Sequence, residues 1–271
     1  MKVLIYVNKS KESALSSAEK LKTILDLKKI EYSVIDEPDL NKKIDGANAL
    51  FVLGGDGTIL KVTSFCIEND LPIIGVNTGK MGFLSEFEPE EMENAVDLLL
   101  SGDFIKDERI TLVSEYKGIR YIALNDCVIQ RTYSDSTSDL VVTLEVSIDD
   151  NKVDKIKGDG VIISTPTGST AYSLSAGGAI LAPGINAFSV TPISSHSLLS
   201  RPVIYSAEVV CKIRSVSDNS ALVIDGKPVA HIKNGDTVKT YKGDKGIVFL
   251  RKKNSDFYRK LSEKLSKREI F

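Results

Sequence analysis

A run of glycines around one acidic residue, Gly54-Gly55-Asp56-Gly57-Thr58, is the part of this sequence with the clearest chemistry. It follows the apolar stretch 49–53 and precedes a helical pattern from Ile59 to Glu68. Glycines let a phosphate approach the backbone, and the start of a helix directs free N–H groups and the positive end of its dipole at that point. The run therefore predicts a phosphate site formed by Gly54, Gly55, Gly57 and Thr58.

Asp56 stands at the centre of this predicted anion site. A carboxylate is electrostatically unfavourable there unless it accepts a proton or holds a divalent cation, and both tasks indicate catalysis. We therefore predict that Asp56 is catalytic. The alternative is a structural turn, because Gly-Asp-Gly is also common turn chemistry. A dinucleotide fingerprint is excluded, since Leu60 occupies the position of its last glycine.

The composition indicates a globular protein that acts on small molecules. The chain has 271 residues, 42% of them hydrophobic, which is enough for two domains. The net charge of -2, from 35 basic and 37 acidic residues, argues against nucleic acid or a membrane surface as partner. Cys66, Cys127 and Cys211 are an odd number in apolar runs, so we expect reduced thiols in a cytoplasmic protein without a signal peptide or a membrane span.

Residues 1–103 alternate short apolar strands with amphipathic helices. This pattern predicts a doubly wound, Rossmann-like α/β domain, in which a parallel sheet is covered on both faces. Ligands of such sheets bind at the carboxyl ends of the strands. We expect the loops 54–58 and 77–83 to meet there.

Residues 104–252 are rich in Val, Ile and Thr, and polar turns separate the segments. They predict an antiparallel β-sandwich-type domain, in which 120–130 is one strand and 246–250 is the last. Residues 253–271 predict a C-terminal helix with Phe257, Leu261 and Leu265 on one stripe, and we expect it to pack back on the first domain.

Polar residues interrupt the strand patterns of the second domain at two places. Asn125-Asp126 lies inside an apolar run and indicates either a site or a β-bulge with polar capping. Asp225-Gly226 indicates a hairpin turn. His196 and His231 have no ligands or triad partners at suitable spacing, so we assign them no role and assign no metal-binding residue.

The segment 157–178 predicts a strand, a hydroxyl-rich loop and a helix of small residues. Hydroxyl and N–H groups at a helix N-terminus can bind the edge of a purine or the oxygens of a ribose, and Tyr172 could stack on the ring. The alternative is a Ser/Thr cap on a tightly packed Gly/Ala helix.

Taken in order, these motifs and the stretch from Pro192 to Pro202 resemble the NAD kinase family over nearly the whole chain. The resemblance implies transfer of phosphate from ATP, or from polyphosphate, to the 2′-hydroxyl of the adenosine ribose of NAD, which gives NADP. It also implies Mg²⁺ or another divalent cation, and a homodimer or homotetramer.

The resemblance assigns roles to individual residues. Asp56 matches the general base, and Asn125 and Asp126 match the pair that holds the hydroxyls and amines of the dinucleotide. The remaining matches all bind NAD: Thr167, Thr170, Ala171 and Tyr172 at the adenine, Asp159 near the nicotinamide amide with Ser175 beside it, Gly57 and Phe83 from the first domain, and Asp225.

Two other functions compete with this interpretation. A lipid kinase of the diacylglycerol type shares the Gly-Gly-Asp-Gly-Thr motif, but it needs an apolar cleft rather than the polar loop 167–172. A non-catalytic dinucleotide-binding sensor would use Asp56 only to support a turn.

Overall fold

The computed structural model describes residues 1–36, 44, 46–80, 82–132 and 141–266. The chain forms two compact units, one from Met1–Glu108 and Ile247–Phe271 and the other from Arg109–Gly246. Both ends of the chain therefore build the first unit, and the second unit is inserted between them.

The first part of the chain alternates strands and helices as predicted. Its elements are β1 (Lys2–Val7), α1 (Glu12–Leu27), β2 (Glu31–Ile35), β3 (Ala47–Leu53), α2 (Asp56–Glu68), β4 (Ile73–Val76), a 3₁₀ turn (Pro89–Glu91), α3 (Met92–Ser101) and β5 (Ile105–Arg109). Helix α2 begins at Asp56, three residues earlier than the helical pattern suggested, so Gly57 and Thr58 belong to its first turn.

One face of α1 carries Ala14, Leu21 and Leu25, which recur at helical spacing and are fully buried. They belong to a core that also contains Val3 and Phe51 of the sheet. In β1 and β3 consecutive residues are buried, which shows that both faces of the sheet are covered.

The second unit contains two antiparallel sheets of six strands each. Its elements are β6 (Leu112–Tyr116), β7 (Ile119–Ala123), β8 (Asp126–Arg131), β9 (Val142–Ile148), β10 (Asn151–Gly158), β11 (Gly160–Ser164), a 3₁₀ turn (Gly168–Thr170), α4 (Tyr172–Ser175), β12 (Ala187–Ile193), β13 (Val203–Ser206), β14 (Cys211–Ser215), β15 (Ser220–Ile224), β16 (Lys227–Ile232) and β17 (Thr237–Lys242).

The sheets have the strand orders β10-β9-β14-β17-β6-β7 and β13-β12-β11-β8-β15-β16. Side chains from both, such as Leu144 of the first and Ile163 and Phe188 of the second, share one buried core. This is the predicted β-sandwich. The prediction of a single strand over 120–130 is wrong, because the chain leaves one sheet after β7 and enters the other at β8.

The chain then returns to the first unit through β18 (Ile247–Arg251) and α5 (Phe257–Ser266). The first sheet has the order β2-β1-β3-β4-β18-β5, and β18 pairs with β4 in parallel. Strands β5 and β18 were predicted in the β-rich domain, whereas both lie in the α/β sheet. A short apolar strand carries no local signal of its partner, which is why the pattern did not show this pairing. Helix α5 packs back on the first unit, as predicted.

Within the described part of the chain, no helix is both long and apolar enough to cross a membrane. The three cysteines are free and buried, as expected. Burial raises the pKa of Cys127 to about 12 and that of Cys211 to about 11, so these thiols are neutral at physiological pH.

Candidate functional site

The glycine run forms the turn between β3 and α2. Gly54 is required by packing, because a Cβ there would lie 2.3 Å from Oγ1 of the buried Thr58. A Cβ at Gly55 or Gly57 would meet no atom within 4 Å. The N–H of Thr58 already donates to the carbonyl of Gly55 at 2.8 Å, so a ligand on this open side of α2 would meet the N–H groups of Asp56 and Gly57, which have no carbonyl partner one turn back.

The carboxylate of Asp56 is fixed by the loop that follows β4. The N–H of Phe83 donates to Oδ2 at 2.8 Å, and the N–H of Leu84 donates to Oδ1 at 3.2 Å. A Cβ at Gly82 would lie 1.8 Å from Oδ1, so only glycine permits this approach. Each carboxylate oxygen has two lone pairs, and one on each remains to accept a proton.

Asn77 shapes the beginning of the same loop. Its Oδ1 accepts from the N–H of Gly79 at 3.1 Å, and its Nδ2 donates to Glu88 at 3.2 Å. Its backbone N–H donates to the carbonyl of Phe87 at 2.8 Å. This loop ends at Phe83, whose N–H donates to Asp56, so the predicted meeting of the loops 54–58 and 77–83 is present in the first unit.

In the second unit, Asp225 holds the segment where the chain changes sheets. Its carboxylate accepts the N–H groups of Leu124, Asn125 and Asp126 at 2.9, 2.8 and 3.1 Å. Asp225 and Gly226 form the turn between β15 and β16, with φ values of 46° and 79°. The predicted hairpin is present, and its carboxylate also anchors Asn125 and Asp126. No local pattern indicates this anchoring role, since Asp-Gly alone explains the turn.

Asp126 is buried beside Asp225. Burial, and secondly the charge of Asp225, raise the pKa of Asp126 to about 7. Burial also raises the pKa of Asp225, although its three backbone hydrogen bonds oppose that shift. A carboxyl group with a pKa of about 7 can accept a hydrogen bond when ionised and donate one when protonated, which suits the recognition of hydroxyl groups.

The hydroxyl-rich loop packs directly on Asn125. The N–H of Thr165 donates to the carbonyl of Asn125 at 2.9 Å, and a Cβ at Gly168 would lie 2.1 Å from that oxygen. Thr167 is buried and its hydroxyl accepts from Arg109 at 3.1 Å. The structure therefore brings these two predicted motifs together, and Gly168 is an additional contact residue that no sequence pattern indicated.

The predicted helix of small residues is mostly absent. A 3₁₀ turn (Gly168–Thr170) is followed by the four-residue α4, and Ala171 between them has φ -101° and ψ -125°. Glycines at 177 and 178 end the helical stretch. Tyr172 is 41% exposed and Ser175 is also exposed, while Thr170 and Ala171 are half-buried. A helix of four residues has too small a dipole to attract a ligand to its N-terminus.

Asp159 lies apart from these residues. It precedes β11, whose other end leads to Thr165, so the two positions are separated by the length of that strand, about 20 Å. Arg131 forms an ion pair with its carboxylate at 3.0 Å. A Cβ at Gly158 would lie 2.7 Å from the carbonyl oxygen of Ser194, which explains the glycine before it.

The candidate residues thus divide between the two units. The first contains the glycine run, Asp56 and Phe83, and the second contains the remainder. Among the described residues, no group of three or more His, Cys, Asp or Glu side chains is arranged to hold a metal ion.

Comparison with known proteins identifies the family. The model of the ATP-NAD kinase N-terminal domain matches residues 4–104, and that of the C-terminal domain matches residues 124–252. The NAD kinase of Caldicellulosiruptor saccharolyticus is 34% identical over 266 residues, which cover 98% of this chain and 99% of that protein.

Solved structures agree. Yeast NADH kinase in complex with NADH has a TM-score of 0.85 at 27% identity, covering 100% of this chain and 89% of that one. An NAD kinase from Archaeoglobus fulgidus in complex with ATP has a TM-score of 0.80 at 22% identity, covering 98% and 99%, and supports the fold alone. Both domain models match in order and a relative is matched over nearly its whole length, so the chain belongs to the ATP-NAD kinase family.

Proposed function

We propose that this chain transfers the terminal phosphoryl group of ATP to the 2′-hydroxyl of the adenosine ribose of NAD, with Asp56 as the general base. Its family supports NAD as acceptor and ATP as donor, and gives no support to a lipid kinase or a sensor. The observation that carries the base assignment is the carboxylate of Asp56, held by two N–H groups beside the open side of the glycine run.

The reaction then follows from the chemistry of these groups. Asp56 takes the proton of the ribose hydroxyl as its oxygen attacks the terminal phosphorus, and ADP leaves with the electrons of the broken P–O bond. The N–H groups at the start of α2 donate to the phosphate oxygens on which charge increases. Gly54, Gly55, Gly57 and Thr58 are the phosphate-binding residues of this scheme.

On the acceptor side, the second unit recognises the dinucleotide. Asn125 and Asp126 bind its hydroxyl and amine groups, and the loop packed on Asn125 binds the adenine. The other NAD-binding residues of the proposal are Gly57, Phe83, Asp159, Thr167, Thr170, Ala171, Tyr172 and Ser175. Asp225 acts through the backbone of Asn125 and Asp126 rather than by direct contact, since its carboxylate accepts three N–H groups.

We propose that Mg²⁺ or another divalent cation enters with ATP. Mg²⁺ in such sites is usually held by one or two carboxylates together with substrate phosphates and water, and the described residues contain no dedicated metal cluster. When bound, the ion neutralises charge on the phosphate oxygens.

A homodimer or homotetramer is part of the proposal. Leu198 and Leu199 are 87% and 89% exposed on one loop of the second unit, and adjacent exposed leucines are typical of a surface that another subunit covers. Light scattering of the purified chain measures its mass directly. A cytoplasmic location fits the free cysteines, which remain reduced in that compartment.

The reaction is tested with purified protein, Mg²⁺ and ATP, with NAD in one arm and diacylglycerol in the other. We expect NADP from the first arm and no lipid phosphate from the second. A third arm, with polyphosphate in place of ATP, defines the range of donors. Product from the lipid arm alone would contradict the proposal.

A further inference from the structure

The C-terminal helix α5 contacts the loop that holds Asp56. Lys260 donates to the carbonyl of Ser85 at 3.2 Å and to the carboxylate of Glu86 at 2.5 Å. The ring of Phe257 lies 6.1 Å from that of Phe83, and Nζ of Lys264 lies 3.8 Å from the centre of the Phe83 ring. These contacts all fall on residues 83–86, which we call the Asp56 loop.

Arg251, the last residue of β18, also binds the Asp56 loop, through buried contacts. Arg251 donates to Glu86 at 3.0 Å and to the carbonyl of Phe83 at 3.4 Å, and it also pairs with Asp107. Ser255 donates to Glu86 at 2.9 Å. The side chains of Arg251 and Glu86 are only 5% and 2% exposed. A buried carboxylate of this kind is stable only while its donors stay in place.

The network ends on the proposed base. Three groups of Phe83 are engaged at once. Its carbonyl accepts from Arg251, its ring contacts Phe257 of α5, and its N–H donates to Asp56. Leu84, the next residue, supplies the other N–H for Asp56. A shift of the Asp56 loop would therefore move both donors that orient the carboxylate.

We propose that α5 is a positioning element for the phosphoryl transfer: Lys260 and Phe257 fix the Asp56 loop, and the loop fixes the carboxylate of Asp56. The inference rests on the proposed function, since it gives Asp56 the role of base. Neither residue touches a substrate in this account. Both act through the N–H groups of Phe83 and Leu84.

The test uses two variants of the full chain, Lys260→Met and Phe257→Ala, in the NAD and ATP assay. A displacement of about 1 Å in a catalytic group costs up to about a hundredfold in rate, so we expect kcat to fall by about tenfold to a hundredfold. The KM of ATP stays near that of the wild type, because no phosphate-binding group is changed, while the KM of NAD rises at most modestly, because the ring of the proposed NAD-binding residue Phe83 contacts Phe257. Lys260→Arg, which keeps charge and donors, restores most of kcat.

Arg259→Met is the matched control, because Arg259 lies on the same helix with a side chain 61% exposed and paired only weakly with Glu263 at 3.9 Å. We expect it to keep the wild-type kcat. Circular dichroism melting of each variant confirms that the fold is present during the assay.

The decisive comparison repeats Lys260→Met and Phe257→Ala in the Asp56→Asn background. Residues that act through one group are not additive, so we expect no further loss of kcat there. The inference is overturned if kcat is unchanged in the single variants, or if it falls by the same factor with and without Asp56. Wild-type activity of Asp56→Asn alone would instead show that the proposed function has failed, and the inference with it.

Discussion

Asp56 and Asp225 lie in different units, yet both are aspartates at glycine turns whose carboxylates accept backbone N–H groups. Asp56 accepts one at each oxygen and keeps a lone pair on each. Asp225 accepts three, two of them on Oδ1, which fills that oxygen. Backbone N–H groups bind both carboxylates, but they leave that of Asp56 able to take a proton, whereas that of Asp225 holds the segment 124–126.

Removing the carboxylate of Asp225 tests whether this group holds the segment 124–126 in place. We expect Asp225→Ala to lower the free energy of unfolding by about 3 kcal/mol, because three N–H groups lose their acceptor while repulsion of Asp126 is relieved. Urea unfolding measures this change. Asp244→Ala, at an exposed turn of the same unit, is the control. Equal stability of the two variants would show that the three hydrogen bonds contribute nothing.

Displacing the carboxylate of Asp56 without removing it tests whether catalysis depends on its orientation. In Gly82→Ala the new Cβ would meet the flexible end of the Asp56 side chain, which moves away while the backbone stays in place. We expect kcat to fall by about a hundredfold with little loss of stability. Steady-state kinetics measures this, and Gly184→Ala, where a Cβ meets nothing within 4 Å, is the control. An unchanged kcat would mean that the orientation of Asp56 does not matter.

The pH dependence of the free energy of unfolding tests the raised pKa of Asp126 in the second unit. Burial raises the pKa of Asp126 to about 7 in the folded state, above the ordinary aspartate value of about 3.9. The folded protein therefore binds an extra proton between these values, and stability falls as pH rises through that range. Asp126→Asn removes this loss. We expect the variant to gain about 2 kcal/mol relative to the wild type between pH 5 and pH 8.

Urea unfolding at both pH values measures the gain. A gain that is the same at pH 5 and pH 8 would show that Asp126 titrates normally.

The smallest expected effect concerns Tyr172, whose side chain is 41% exposed. If its ring stacks on the adenine, Tyr172→Ala raises the KM of NAD by roughly threefold to tenfold and leaves kcat unchanged. Ile119→Ala, on the edge strand β7 of the second unit and 56% exposed, is the control. A fall in kcat at unchanged KM would place Tyr172 elsewhere in the mechanism.

Local patterns were sufficient for much of the fold and for the open glycine turn before α2. The alternation of strands and helices predicted the α/β unit, and the glycine run predicted an open turn at the start of α2. These features depend on neighbours in sequence, which periodicity and turn chemistry record.

The features that the patterns missed depend on distant partners. The strand Ile247–Arg251 pairs with β4, more than a hundred residues earlier, and nothing in its five residues specifies that partner. The Asp225 anchor and the change of sheet at Leu124 are likewise contacts across the fold. The local sequence of a turn or an apolar run does not depend on these distant contacts, so it does not reveal them.

The most direct test of the central claim is the kinetics of Asp56→Asn. The asparagine oxygen still accepts one N–H, but its amide cannot take a proton, so we expect kcat to fall by about 10² to 10⁴ while the affinity for NAD measured by calorimetry stays the same. Asp244→Asn serves as the control and keeps full activity. Wild-type kcat in Asp56→Asn, with unchanged binding of NAD, would contradict the account.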